Sequence, residues 1–185
     1  MNYSAVVKPY FATSPTAGSL ILGTIVVWAV IEVRQGLQRR SEATAADRGT
    51  QYLIRLTVTA AIVLAAVAVS KVPTAAIAFP AAVSGVALLI MWAGIGLRWW
   101  AFATLGRYFT FAVMTSADQP VVSSGPYRFV RHPGYSGIEL VFIGIGGTYG
   151  NWISLASWTL IPLIGLLTRI RVEESALSAT LGDAY

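Results

Sequence analysis

The sequence predicts an all-α integral membrane protein with about five transmembrane helices, and three observations carry that expectation. Of its 185 residues, 56% are hydrophobic and only 11% charged, with a mean hydropathy of +0.66, whereas soluble domains hold about 25% charged residues. Its apolar residues fall into five runs expected to approach the length of about 20 residues that crosses a bilayer core, the first when extended into its flanks and the fourth, whose uncharged core alone is too short, when its helix begins near Pro133. Its basic residues gather in alternate loops, the pattern of a multi-pass protein with one cytoplasmic face.

The first run covers 18–33 and is broken only by Glu32 near its end. A polar loop follows, holding Arg34, Arg39, Arg40, Arg48 and, at its far edge, Arg55. The second run is 53–70, and Lys71-Val72-Pro73-Thr74 makes a tight turn into a third at 75–97. Arg98-Trp99-Trp100 then reads as an interfacial cation with two interfacial aromatics. The longest polar stretch, 101–131, precedes a fourth run whose helix is expected to begin near Pro133, because proline suits a first turn. Gly150-Asn151 turns the chain into a fifth run at 152–168, and Arg169 to Glu174 follows at once. Placing the N-terminus outside puts eleven of the thirteen basic residues on the cytoplasmic side and leaves Lys8 and Lys71 outside. Small residues at Gly85, Gly94, Gly96, Gly144, Gly146 and Gly147 are read as close helix packing in lipid.

Composition also excludes chemistry. No cysteine is present, so there is no disulfide, thiolate metal site or cysteine nucleophile. A single histidine rules out a multi-histidine metal centre. The net charge of +5 is read as membrane topology, not as a nucleic-acid footprint.

The densest chemistry lies in 124–137, which contains that histidine, His132, among three glycines, two prolines, two arginines and two tyrosines. Arg131-His132-Pro133 would open a helix, where backbone N–H groups and the helix dipole favour an anion. A second group, Arg169, Arg171, Glu173 and Glu174, falls on the same cytoplasmic surface. Arg169 and Glu173 are spaced i,i+4, which suits either a helix-stabilising ion pair or a paired site, with the cation for a carboxylate substrate and the anion for a cofactor. Glu139 lies one turn after Tyr135 in an apolar segment. Carboxylates in such segments are costly and face a bundle interior or cavity. It either lines a substrate path or is a neutral, hydrogen-bonded group.

These blocks carry a resemblance. Gly-Pro-Tyr-x-x-x-Arg-His-Pro-x-Tyr-x-Gly at 125–137, then Arg169-Ile170-Arg171-Val172-Glu173-Glu174, then Leu177, Leu181 and Gly182-Asp183-Ala184-Tyr185, resemble the isoprenylcysteine carboxyl methyltransferase family. Asp47-Arg48-Gly49-Thr50, Leu105-Gly106-Arg107-Tyr108-Phe109-Thr110 and Asn151-Trp152 are similar to further features of it. The resemblance implies one membrane-embedded domain over 1–185, with three helices in 1–100 and a catalytic half in 101–185 that holds a cytoplasmic cofactor loop and the C-terminal helix. It implies S-adenosylmethionine as cofactor, contacted by Pro120, Val121, Val122, Tyr127, His132, Pro133, Gly134, Tyr135 and Glu173. Arg169 would hold the substrate carboxylate, and Glu139 would border the slot for a lipophilic, prenylated or other lipid acceptor. The family usually runs on in a basic, proline-containing tail, whereas this sequence stops at Tyr185, so a shortened C-terminus is expected. Three other functions stand beside this one: an NADPH-dependent sterol or steroid reductase, a phospholipid N-methyltransferase, and a small membrane scaffold.

Overall fold

The computed structural model describes residues 8–37, 49–106 and 122–181. Six α-helices make up the chain there: α1 (Tyr10–Thr13), α2 (Pro15–Leu37), α3 (Thr50–Lys71), α4 (Pro80–Leu105), α5 (Pro133–Thr148) and α6 (Trp152–Leu181). Among the described residues the β-structure is one isolated antiparallel bridge, Ala76 to Asn151. Four helices, α2, α3, α4 and α6, are long and apolar enough to cross a membrane. The expected all-helical membrane architecture is therefore present, with four helices of spanning length among the described residues. The fourth run forms α5, which begins at Pro133 as anticipated yet has only 16 residues, about 24 Å at 1.5 Å per residue.

The bundle is built inside out relative to a soluble protein. Leu22, Val30, Leu56, Val63, Leu89, Trp92, Leu160 and Ile164 point outward, while Ala61, Ala65, Ala87 and Ala101 are buried. Large side chains meet lipid and small ones let backbones approach, because lipid tails give apolar helices no hydrophobic reason to associate. The approach is tightest between α4 and α5: a Cβ placed on Gly94 would lie 2.5 Å from the carbonyl oxygen of Gly137. Gly144 meets Met91 and Ala87 in the same seam, and Gly146 meets Trp158 of α6. Gly85 and Gly96, expected in the same role, face open space instead. Helix α3 lies along α6, where Ser154 donates to the Ala65 carbonyl at 3.0 Å in a fully buried position.

The third span is also shifted. The chain between Lys71 and α4 is a 3-10 turn (Pro73–Ala75) followed by a non-helical stretch in which Ile77 N–H bonds to the Gly150 carbonyl at 2.8 Å and Phe79 takes φ +56. That bond takes a segment apolar enough for a helix and ties it to the α5–α6 turn, so α4 starts at Pro80. It then continues to Leu105, which places Arg98-Trp99-Trp100 inside the helix rather than at its edge. The same turn holds Asn151, whose Oδ1 accepts from the N–H groups of Ile153 and Ser154 while its Nδ2 donates to the Val72 carbonyl. It thus caps α6 and staples two turns together. Asn151→Ala is expected to destabilise the protein by about 1–2 kcal/mol, a typical loss for a helix cap, read as a lower melting temperature in detergent.

Candidate active site

The C-terminal ends of α2, α4 and α6 and the N-terminal ends of α3 and α5 meet at one end of the bundle, and their polar side chains interlock there. The α5 start is fixed from below by Arg98. This residue is only 6% exposed, and its guanidinium donates from Nη1 to the Gly134 carbonyl at 2.8 Å. Its Nε and Nη2 grip the two oxygens of Glu32 on α2, the latter at 2.8 Å. Trp28 Nε1 donates to the same carboxylate at 3.2 Å, and the Arg98 guanidinium also lies over the Phe102 ring at 4.7 Å. Two charges can stay in an apolar bundle only when paired and hydrogen-bonded in this way. The reading of Arg98 as an interfacial cation is thus corrected: it is a buried tie between α2, α4 and α5.

Above this tie, the preceding loop is drawn against α4. Gly125 takes φ +56, and a Cβ there would come within 2.6 Å of Thr104 Oγ1, so the 3-10 turn Gly125–Arg128 needs glycine at its first position. The turn places Tyr127 near both Glu173 and Arg98. Burial pushes the Tyr127 hydroxyl well above its ordinary pKa, Glu173 raises it further, and Arg98 opposes both. The group therefore remains a neutral donor at any working pH.

Helix α6 brings the second half. The Tyr135 hydroxyl donates to Glu173 Oε2 at 2.7 Å and accepts from Arg169 Nε at 2.9 Å. Arg169, 5% exposed, also donates from Nη1 to Thr50 Oγ1 at the start of α3, at 2.9 Å. A tyrosine from another helix is thus inserted between the i,i+4 pair seen in the sequence. His132 Nε2 lies 3.0 Å from Glu174 Oε1, and the exposed Arg131 approaches the same oxygen at 3.8 Å. Glu174 was noticed in sequence only as part of a charged helix exit; its role facing His132 needed the fold.

Of the residues singled out for the cofactor or the acceptor, the structure brings Tyr127, His132, Pro133, Gly134, Tyr135, Arg169 and Glu173 to one end of the bundle. Val122 sits at the edge of the same loop, and Pro120 and Val121 lie outside the described residues. Glu139 is one turn deeper along α5, and both of its carboxylate oxygens are buried without a hydrogen-bond partner. Among the described residues no hydrogen-bond partner meets it. Sequence reasoning assigned no role to Glu32 or Trp28, and named Thr50 only within a family-like block. A carboxylate inside an otherwise apolar run was the available signal for Glu32.

The structure is thus an all-helical bundle with a carboxylate–tyrosine–arginine cluster, its arginine buried, beside the start of the Arg-His-Pro helix. The sequence matches the isoprenylcysteine carboxyl methyltransferase (ICMT) family over residues 86–179, and the chain belongs to that family. It is 29% identical over 93 residues to the uncharacterized protein YpbQ of Bacillus subtilis (strain 168), covering 50% of this chain and 55% of that one. It is 32% identical over 105 residues to a probable protein-S-isoprenylcysteine O-methyltransferase of Oryza sativa subsp. indica, covering 56% and 55%. With the protein-S-isoprenylcysteine O-methyltransferase of Schizosaccharomyces pombe it shares 32% identity over 91 residues, covering 48% and 39%. The matched regions thus span about half the length, or less, of these relatives. The fold is that of the eukaryotic intramembrane Ras methyltransferase ICMT, with a TM-score of 0.66 at 24% identity over 93% of this chain and 64% of that one.

Proposed function

We propose that this protein is an S-adenosylmethionine-dependent methyltransferase that esterifies the carboxyl group of an isoprenylcysteine-like lipid, working at the cytoplasmic face of the membrane. The observation behind the proposal is the Arg169–Tyr135–Glu173 cluster beside the α5 start. We take residues 1–185 as one catalytic unit, with α2 and α3 buttressing the half that follows Arg98.

The donor set suits the cofactor. Glu173 and Glu174 offer carboxylate acceptors for its cationic and hydroxyl groups, while Tyr127, His132 and the Gly134 N–H at the start of α5 offer donors for its carboxylate and base. Bound there, S-adenosylmethionine supplies a methyl group made electrophilic by the sulfonium. A carboxylate acceptor is already ionised at neutral pH, so no general base is needed. The protein's part is to hold and to keep dry. Arg169 offers a planar fork suited to a carboxylate, and Tyr135 and Thr50 fix its orientation beforehand, which removes ordering cost from the reactive arrangement. Tyr135 holds Glu173 through the same hydroxyl, so acceptor and cofactor contacts share one residue. Basic residues clustered at this end favour its placement on the cytoplasmic side.

The test is methyl transfer from labelled S-adenosylmethionine in detergent or vesicles to a panel of prenylcysteine, phosphatidylethanolamine and total membrane lipid, with titration of the cofactor and of NADPH alongside. Base-labile label on prenylcysteine is expected, with cofactor affinity weakened by Glu173→Ala and by His132→Ala. Tight NADPH binding with none for S-adenosylmethionine would overturn the proposal.

A further inference from the structure

Tyr135, Glu139, Phe142 and Gly146 are spaced i, i+4, i+7 and i+11 on α5, which places them on one helix face. Three of the four touch α6: Tyr135 through Arg169 and Glu173, Phe142 through a 5.7 Å ring contact with Trp158, and Gly146 through Trp158 and Leu155. The fourth, Glu139, must face the same way, into the bundle and away from the end where the reactive cluster sits. Both its oxygens are buried and unpartnered, and so is Nε1 of Trp158, beside Phe142. Among the described residues these are the side-chain atoms left in that state. Buried polar groups are otherwise hydrogen-bonded, and an orphan in a native fold marks a ligand or a function.

We propose that Glu139 binds a hydrogen-bond donor carried by the lipid part of the acceptor, so that this protein selects a hydroxylated or amine-bearing lipid over a plain prenyl chain. This rests on the methyltransferase reading. In either protonation state a carboxyl group presents at least one acceptor oxygen, so the complementary ligand atom bears a hydrogen. Its depth follows from the helix: Glu139 is one turn, about 5–6 Å, below Tyr135. With the reacting carboxyl held beside Arg169 and Tyr135, that distance reaches the first isoprene unit of a prenylcysteine. A plain hydrocarbon there would seal Glu139 into an apolar contact with nothing to bond.

The experiment compares N-acetyl-S-geranylcysteine with versions bearing a hydroxyl or an amino group on the first isoprene unit. Methyl transfer and lipid-induced thermal shift are read for the full chain and for Glu139→Leu and Glu139→Gln. The unsubstituted protein is expected to prefer a donor-bearing acceptor by at least tenfold in kcat/KM, with Glu139→Leu abolishing or reversing that ratio and Glu139→Gln keeping part of it. The larger of the hydroxyl and amino effects names the donor. Without lipid, Glu139→Leu should melt higher, since it removes an uncompensated group. A lower melting temperature for that variant would make Glu139 a packing residue and overturn the proposal, as would an acceptor ratio equal in all three proteins. If no acceptor is methylated, the carboxyl-methyltransferase reading fails by itself. The thermal shift then still decides this inference: a shift from the donor-bearing lipid that Glu139→Leu loses supports it, and an equal shift in both proteins overturns it.

Discussion

Glu32→Leu is expected to lower stability by about 3–5 kcal/mol, the cost of stripping one partner from a buried ion pair. Arg98 would remain in an apolar interior with two of its contacts removed and only the Gly134 carbonyl and the Phe102 face to meet it among the partners described above. The loss should appear as a fall in melting temperature in detergent, and cofactor affinity should fall with it, because Gly134 belongs to the α5 start. The double variant Glu32→Leu, Arg98→Met should recover much of the stability, since paired removal of buried charges is often neutral or better. It should not recover cofactor affinity, because the hold on Gly134 is gone. A single variant as stable as the original protein would show that the pair does not tie the bundle together.

Arg169→Lys is the second large effect. The substitution keeps a cation but loses the fork that spans Tyr135 and Thr50. Acceptor kcat/KM is expected to fall about 10- to 150-fold, the equivalent of a charge-assisted hydrogen bond worth about 1.5–3 kcal/mol. Cofactor affinity should change far less, since Glu173 retains Tyr135 as donor. Steady-state kinetics with each substrate varied in turn separates the two: an equal loss on both sides would mean that Arg169 organises the whole site rather than the acceptor.

What could be read beforehand was whatever the chain encodes locally. Pro133 announced the start of α5 because proline fits only a few backbone positions, and Arg169 and Glu173 announced themselves as charges at the end of an apolar run. The pairing of Glu32 with Arg98 could not be read, because 66 residues separate them and their meeting depends on how α2 leans on α4. The late start of α4 at Pro80 was hidden for a similar reason: the residues before it are apolar enough for a helix, but the Ala76–Asn151 bridge, the backbone bond from Ile77 to Gly150 and the left-handed Phe79 hold them out of one. Gly94 and Gly96 are two residues apart in sequence, yet one sits in the α4–α5 seam and the other in open space. Helix periodicity puts them on different faces, but only the fold says which face has a neighbour. Tyr135 could be named as a contact, but its insertion between Arg169 and Glu173 required α5 and α6 to be seen side by side.

Helix α6 spans 30 residues with Pro162 inside it, about 45 Å of helix, against a hydrocarbon slab of about 30 Å. A rod that long must either lean or stand proud of the bilayer. Its foot is fastened by Asn151 to the turns on one side, and its head holds Arg169 and Glu173 on the other. Any change in leaning angle therefore swings the candidate site over the membrane surface like the tip of a mast stepped in the opposite leaflet. The thickness of the surrounding lipid becomes part of the geometry of the site.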